Sequence, residues 1–111
     1  MQKDEMTPKE RIGAFLQGKP MDRLPCAPLI LNHAARVLGV KVIEHAKSGE
    51  TMGRAHVAAF RKYRQDMITL FSDTALLSEA MGTKLYYPED DAPRVDEPAV
   101  KTAADVEKII P

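Results

Sequence analysis

Apolar residues follow two kinds of pattern along this chain: stripes at steps of three and four, and short unbroken runs. The first stripe is Ile12, Phe15 and Leu16. It follows Thr7-Pro8-Lys9-Glu10, a capping box in which the Thr7 hydroxyl accepts from the Glu10 amide and the Glu10 carboxylate accepts from the Thr7 amide. Pro8 takes the first helical position, where its missing N–H does no harm, and Gly18 and Pro20 stop the helix. The pattern predicts a helix over 8–17. After a loop with two prolines, Cys26-Ala27-Pro28-Leu29-Ile30-Leu31 is apolar without alternation, as in a strand buried on both faces. Asn32 then stands as a cap for a turn or two of helix, His33 to Leu38, closed by Gly39. A further short helix is predicted from Val40 to Ala46.

The longest stripe is Met52, Ala55, His56, Ala59, Phe60 and Tyr63, with Arg54, Arg61, Lys62 and Arg64 off it, and it predicts a helix over 50–63. Asp66-Met67-Ile68-Thr69-Leu70-Phe71 reads as a second buried strand. Ser72-Asp73-Thr74 opens a helix from Ala75 to Met81, stopped by Gly82. Lys84 to Tyr87 is a short strand or extended segment, and Pro88 to Pro98 a loop. A second capping box, Thr102-Ala103-Ala104-Asp105, opens a final helix carrying Val106, Ile109 and Ile110. Helices alternating with unbroken apolar strands are the pattern of parallel α/β units. Two strands cannot make a covered parallel sheet, because each needs neighbours for its edges and helices on both faces. The expectation is therefore the front part of a longer chain. The alternatives are a small α+β domain or a dimer that completes the sheet between copies.

Composition narrows this picture. With 16 Lys+Arg against 16 Asp+Glu, the 111-residue chain has no basic excess to draw it to nucleic acid. No apolar run approaches the roughly 18–20 residues of a membrane span, and no signal peptide is expected from the polar start. The single cysteine, Cys26, forms no internal disulfide; it reads as a small buried hydrophobe in a reducing, cytoplasmic compartment.

Familiar phosphate-loop, nucleophile-elbow and zinc-helix motifs are absent. His56 falls in an apolar stripe and reads as a packing or boundary residue, while His45, near a helix end, suits the dipole there. Glu89-Asp90-Asp91 lacks the glycine and distant glutamate of a calcium loop and reads as solvated. Two places stand out because each follows a predicted strand, where α/β folds bind ligands. One is Asn32-His33-Ala34-Ala35-Arg36; the other is Ser72-Asp73-Thr74. Asp73 and Asn32 each have a plain alternative as helix caps. Arg36 is either a surface cation or a carboxylate binder, for which its planar fork is suited.

Taken in order, Met6-Thr7-Pro8-Lys9-Glu10-Arg11, Gly18-Lys19-Pro20, Asp22-Arg23-Leu24-Pro25, Phe71-Ser72-Asp73, Glu79-Ala80-Met81-Gly82 and Tyr87-Pro88-Glu89-Asp90 carry a resemblance. The chain resembles the N-terminal third of the uroporphyrinogen decarboxylase superfamily, which includes the methylcobamide:coenzyme M methyltransferases. The resemblance implies an α/β fold, the N-terminal part of a (β/α)8 TIM barrel, with residues 1–111 as the first segment of one barrel domain. It implies that Asp73 is the aspartate that holds pyrrole N–H groups of a tetrapyrrole, and that Arg36, Asn32 and His33 line the mouth beside it. Where the decarboxylases carry Arg-Gln-Ala-Gly-Arg, this chain keeps the second arginine as Arg36 and replaces the first by Asn32. With the Tyr-Pro-Glu-Asp segment, that departure points the expectation to the methyltransferase branch, in which zinc activates a thiol that attacks a methylated corrinoid. The His-x-Cys pair and late Cys that hold zinc in that branch have no counterpart here, so this chain itself is expected to hold no cofactor and to be inactive alone. The partners implied are a small molecule or a corrinoid protein, with self-association through open sheet edges. The competing expectations are uroporphyrinogen decarboxylation, and a free-standing α/β module that dimerises without catalysis.

Overall fold

The computed structural model describes residues 4–70 and 73–109. In chain order it has α1 (Pro8–Leu16), α2 (His33–Leu38), α3 (Val42–Lys47), α4 (Gly49–Tyr63), α5 (Leu76–Ala80), β1 (Lys84–Tyr86), β2 (Arg94–Glu97) and a closing 3-10 helix (Ala103–Lys108). The Thr7 capping box forms as the sequence dictates: the Glu10 amide donates to the Thr7 hydroxyl over 3.3 Å, and the Thr7 amide donates to the Glu10 carboxylate over 2.8 Å. At the end of α2, Gly39 takes the left-handed φ of 83° that suits a residue without a Cβ. Arg64 does the same job at the end of α4 with φ 52°, a conformation costly for a side-chain-bearing residue. Its exposed side chain makes no ion pair among the described residues. Arg64→Gly is therefore expected to raise stability by about 1 kcal/mol in chemical unfolding.

The core is small and built on alanine. Ala34 from α2 meets Ala55 and Ala59 from α4, and Ile30, Val37 and Leu38 pack around them. Small side chains let the two helices approach closely, and α3 lies against the same side of α4.

A second centre is ionic. Arg11, on the inner face of α1, is fully buried. Its Nε donates to Asp22 over 2.7 Å, and its Nη1 donates to Asp66. Arg23 donates to the other Asp66 oxygen over 2.6 Å and reaches Asp4 over 2.8 Å. The Arg11 guanidinium beside Asp22 holds that carboxyl well below the usual carboxylate range, against the cost of burial. For Asp66, burial pushes the carboxyl up, but bonds from Arg23, the Cys26 amide and Arg11 outweigh it, so the net direction is down. The network gathers α1, the loop after it and the chain following α4 at one point. There the two segments predicted as strands begin side by side, with the Asp66 amide donating to the Cys26 carbonyl over 2.7 Å.

Those segments do not become strands. The 26–30 and 66–70 stretches enter no ladder, and the described sheet is the antiparallel pair β1–β2. A strand is stable only when a neighbour takes its backbone groups, and beyond the Cys26–Asp66 bond no such neighbour is in place among the described residues. Phe71, the end of the second predicted strand, lies outside the described residues. Cys26 is exposed rather than buried, because no second layer covers its run. The barrel itself is accordingly not displayed; the helix-rich architecture with two short strands is. β2 lies within the predicted 88–98 loop. Its Val95 pairs with Leu85, and its Glu97 stands opposite Lys84 with the side chains 2.8 Å apart. The last helix is 3-10 rather than α, as fits a short segment with nothing to pack on.

A broad apolar surface is left uncovered. Leu16 and Leu24 are 78% and 74% exposed. With Ile12, Phe15, Pro25, Ala27 and Met67 they line a groove of about 450 Å³. The radius of gyration, 18.6 Å, is well above the roughly 13 Å of a compact domain of this length. No helix among the described residues is long and apolar enough to cross a membrane.

Candidate functional site

The first candidate region grows from a bend. Leu31 follows the 26–30 segment with a left-handed φ of 50°, which turns the chain sharply into α2. Asn32 does not cap that helix. Its backbone is already helical (φ −64°, ψ −16°) and its side chain bonds to no helix amide; capping requires an extended residue whose side chain can reach forward. Asn32 Oδ1 is left buried without a hydrogen-bond partner. His33 is exposed, and its Nε2 shares a 2.8 Å hydrogen bond with the Tyr63 hydroxyl at the end of α4. The two rings lie 5.9 Å apart. Arg36 is exposed on α2, and its guanidinium makes no ion pair among the described residues.

The second region is Asp73, half-buried three residues before the start of α5. Its Oδ1 accepts from the Ala75 amide over 2.7 Å, so it closes a turn ahead of the helix rather than capping it: the N-cap is Ala75, which takes no side-chain cap bond. No described residue bonds to the other Asp73 oxygen. Phe71 and Ser72 of the motif lie outside the described residues. Nearby, the Tyr87 hydroxyl donates to Glu79 over 2.7 Å. Burial, the Glu79 bond and the charges of Glu79 and Asp73 push the Tyr87 phenol up to about 12. Lys47 of α3 sits 4.4 Å from the centre of the Tyr87 ring. Asp73, Glu79 and Tyr87 thus make a patch rich in hydrogen-bond acceptors, with one cation at its side.

α3 ties the two regions together. The Ile43 amide donates to the Glu89 carbonyl over 3.0 Å, and the Lys41 ammonium donates to the Glu89 carboxylate over 2.7 Å. Glu89 is therefore a strut rather than merely a solvated charge, and Asp91 pairs with Arg94 over 2.6 Å. No hydrogen bond, ion pair or ring contact among the described residues joins Asp73 directly to Asn32, His33 or Arg36. No group of three or more His, Cys, Asp or Glu among the described residues is placed to hold a metal ion.

His45 departs from its expected role. It is fully buried, with its ring 5.5 Å from that of His56, which is also buried. Burial, then the His56 charge, lowers its pKa, so it is a poor cation for a helix end. The pattern along the chain did not mark Tyr63 or Tyr87 as site residues. Tyr63 closes the apolar stripe of α4 and reads there as core, but it is 43% exposed and its hydroxyl bonds to His33.

Residues 7–111 match the family model described as Uroporphyrinogen decarboxylase (URO-D). The chain is 31% identical over 109 residues to a uroporphyrinogen decarboxylase of Teredinibacter turnerae, covering 90% of this chain and 30% of that protein. It is 34% identical over 98 residues to one of Legionella pneumophila, covering 80% and 27%, and 28% identical over 109 residues to one of Saccharophagus degradans, covering 90% and 30%. The chain spans about 30% of the length of these curated relatives. No solved structure gives a significant match.

Proposed function

The chain belongs to the uroporphyrinogen decarboxylase family, and from that premise we propose that it forms the opening part of a carboxy-lyase site acting on the acetate side chains of a tetrapyrrole. The relatives it matches bear that activity in their names. The observation that carries the reading to this chain is Asp73, whose carboxylate has one oxygen without a bond among the described residues, at the edge of an acceptor-rich patch. Pyrrole N–H groups need such acceptors. A fixed negative charge also stabilises the positive charge that develops when a pyrrole carbon is protonated and the acetate loses carbon dioxide. Arg36, exposed and unpaired among the described residues, is available to a substrate carboxylate. Asn32 Oδ1 is a buried acceptor without a partner among the described residues. The uncovered apolar groove is where later β/α units of the family's barrel pack in this reading, so activity requires them.

A second reading, methyl transfer from a corrinoid to a thiol, rests on one observation: the polar Asn32 where the decarboxylases carry an arginine. A polycarboxylate substrate loses a charge-assisted contact there. The zinc of that chemistry finds no ligand set among the described residues, and no step is drawn through it. The test is an assay of this segment joined to its later β/α units, on uroporphyrinogen under reducing conditions, beside an assay on methylcobalamin with a thiol. Stepwise loss of acetate carboxyls is expected. Methylated thiol with intact porphyrinogen would replace the first reading by the second.

A further inference from the structure

We propose that His45 and His56 form an acid-sensitive latch on the seam between α3 and α4, closed while His45 is neutral and loosened when it takes up a proton. Both side chains are fully buried, one on each helix, with ring centres 5.5 Å apart. Neither ring nitrogen of His45 has a hydrogen-bond partner. A protonated imidazole carries two N–H donors and a charge, and no described residue accepts from either His45 nitrogen. Among the described residues, the groups facing His45 offer no counter-charge. From α4 the charge acting on it is that of His56, which repels. From α2 the buried side chains are Ala34 and Ala35, with Arg36 in solvent. On α3 itself Lys41, Glu44 and Lys47 are exposed, and Glu89, bonded to α3 from the later loop, pairs with Lys41. Charging His45 therefore favours separation of the helices and solvation of the ring.

The latch has a consequence for the candidate regions. α3 holds the Tyr87–Glu89 segment through the Ile43 amide, Lys41 and Lys47. α4 holds His33 through Tyr63. Loosening α3 from α4 uncouples the Asp73 side from the α2 side. The inference stands apart from the chemistry proposed above, since it concerns how the two regions are held and not what they bind.

The sign follows from linkage. A histidine neutral in the folded state binds its proton preferentially in the opened one, so protection is full above the ordinary imidazole value of about 6.5 and falls below it. One proton taken up on opening lowers the protection of α3 and facing α4 amides about tenfold per pH unit. Hydrogen–deuterium exchange on the full chain between pH 7.5 and 5.5, corrected for intrinsic exchange, reads this directly. The expected result is falling protection over 42–63 with α1 unchanged, and loss of that pH dependence in His45→Leu. Constant protection over 42–63 in the native chain overturns the latch, as does an unchanged pH dependence in His45→Leu. Should His45→Leu not fold, the native chain still decides through the imidazole proton resonance of His45: titration below the ordinary value supports the latch, and titration at or above it overturns it.

Discussion

Asp66→Ala lowers the stability of the protein by about 3–5 kcal/mol, the usual result of removing one member of a buried ionic group. The size follows from what is orphaned. Asp66 accepts from Arg11, from Arg23 over 2.6 Å and from the Cys26 amide over 2.7 Å. Arg11 has no solvent to turn to, being fully buried. Asp66→Asn keeps the volume and one acceptor oxygen, so it is expected to lose less. The same group sets an acid limit. Its carboxyl is lowered in the folded state, so its stabilisation is complete above the unfolded value of about 3.9 and disappears as pH falls below that. This window lies well below that of His45, so acid unfolding should show two separate phases. Urea unfolding of the two variants and the native protein from pH 7 to 3 measures both effects. A cost below about 1 kcal/mol for Asp66→Ala would mean that the network is decorative.

On the proposed decarboxylase reading, Asp73→Asn in the protein with its later β/α units is expected to lower kcat/KM by about 10²–10³ with little change in unfolding temperature. Asparagine closes such a turn as well as aspartate, so the bond to the Ala75 amide, 2.7 Å in the native chain, survives. What is lost is the charge, and a fixed charge aimed at a developing opposite charge is worth that factor in a dry site. The substitution separates the two roles that Asp73 holds at once. If it acts only as a turn cap, activity is unchanged and Asp73→Ala costs stability alone. A second readout is Tyr87, whose phenol is held up to about 12 partly by the Asp73 charge; in Asp73→Asn its titration moves down. Steady-state kinetics and an ultraviolet titration of tyrosine together decide the matter.

The elements legible in the sequence are those whose causes are local. α1 forms where Thr7, Pro8 and Glu10 place its start, and α4 where its apolar stripe runs. α2 and α3 fall close to their predicted spans. The places read as candidate sites were legible for a similar reason: they follow apolar runs and carry groups of chemical interest, Asn32, His33, Arg36 and Asp73. The runs themselves misled. Leu29, 67% exposed, and Leu70, 65% exposed, belong to segments with the composition of buried strands that pair into no sheet among the described residues. β2 was hidden for the opposite reason. Arg94-Val95-Asp96-Glu97 lies between prolines and is mostly charged, and its pairing with β1 depends on a partner ten residues away.

By itself the sequence determined the caps, the helical stripes, the balance of charge and the ordered motifs by which the family is recognised, because each depends on residues a few positions apart. Only the tertiary structure decided which charges are buried together. Arg11 and Asp66 are far apart along the chain, and nothing local to either says that they meet. Nor does either helix alone say that His45 faces His56, or that Tyr63 and Tyr87 reach the candidate regions. Burial and pairing are properties of surfaces brought together from distant segments. Their electrostatic consequences, a lowered Asp66 and a neutral His45, follow from the low-dielectric contact and not from residue type.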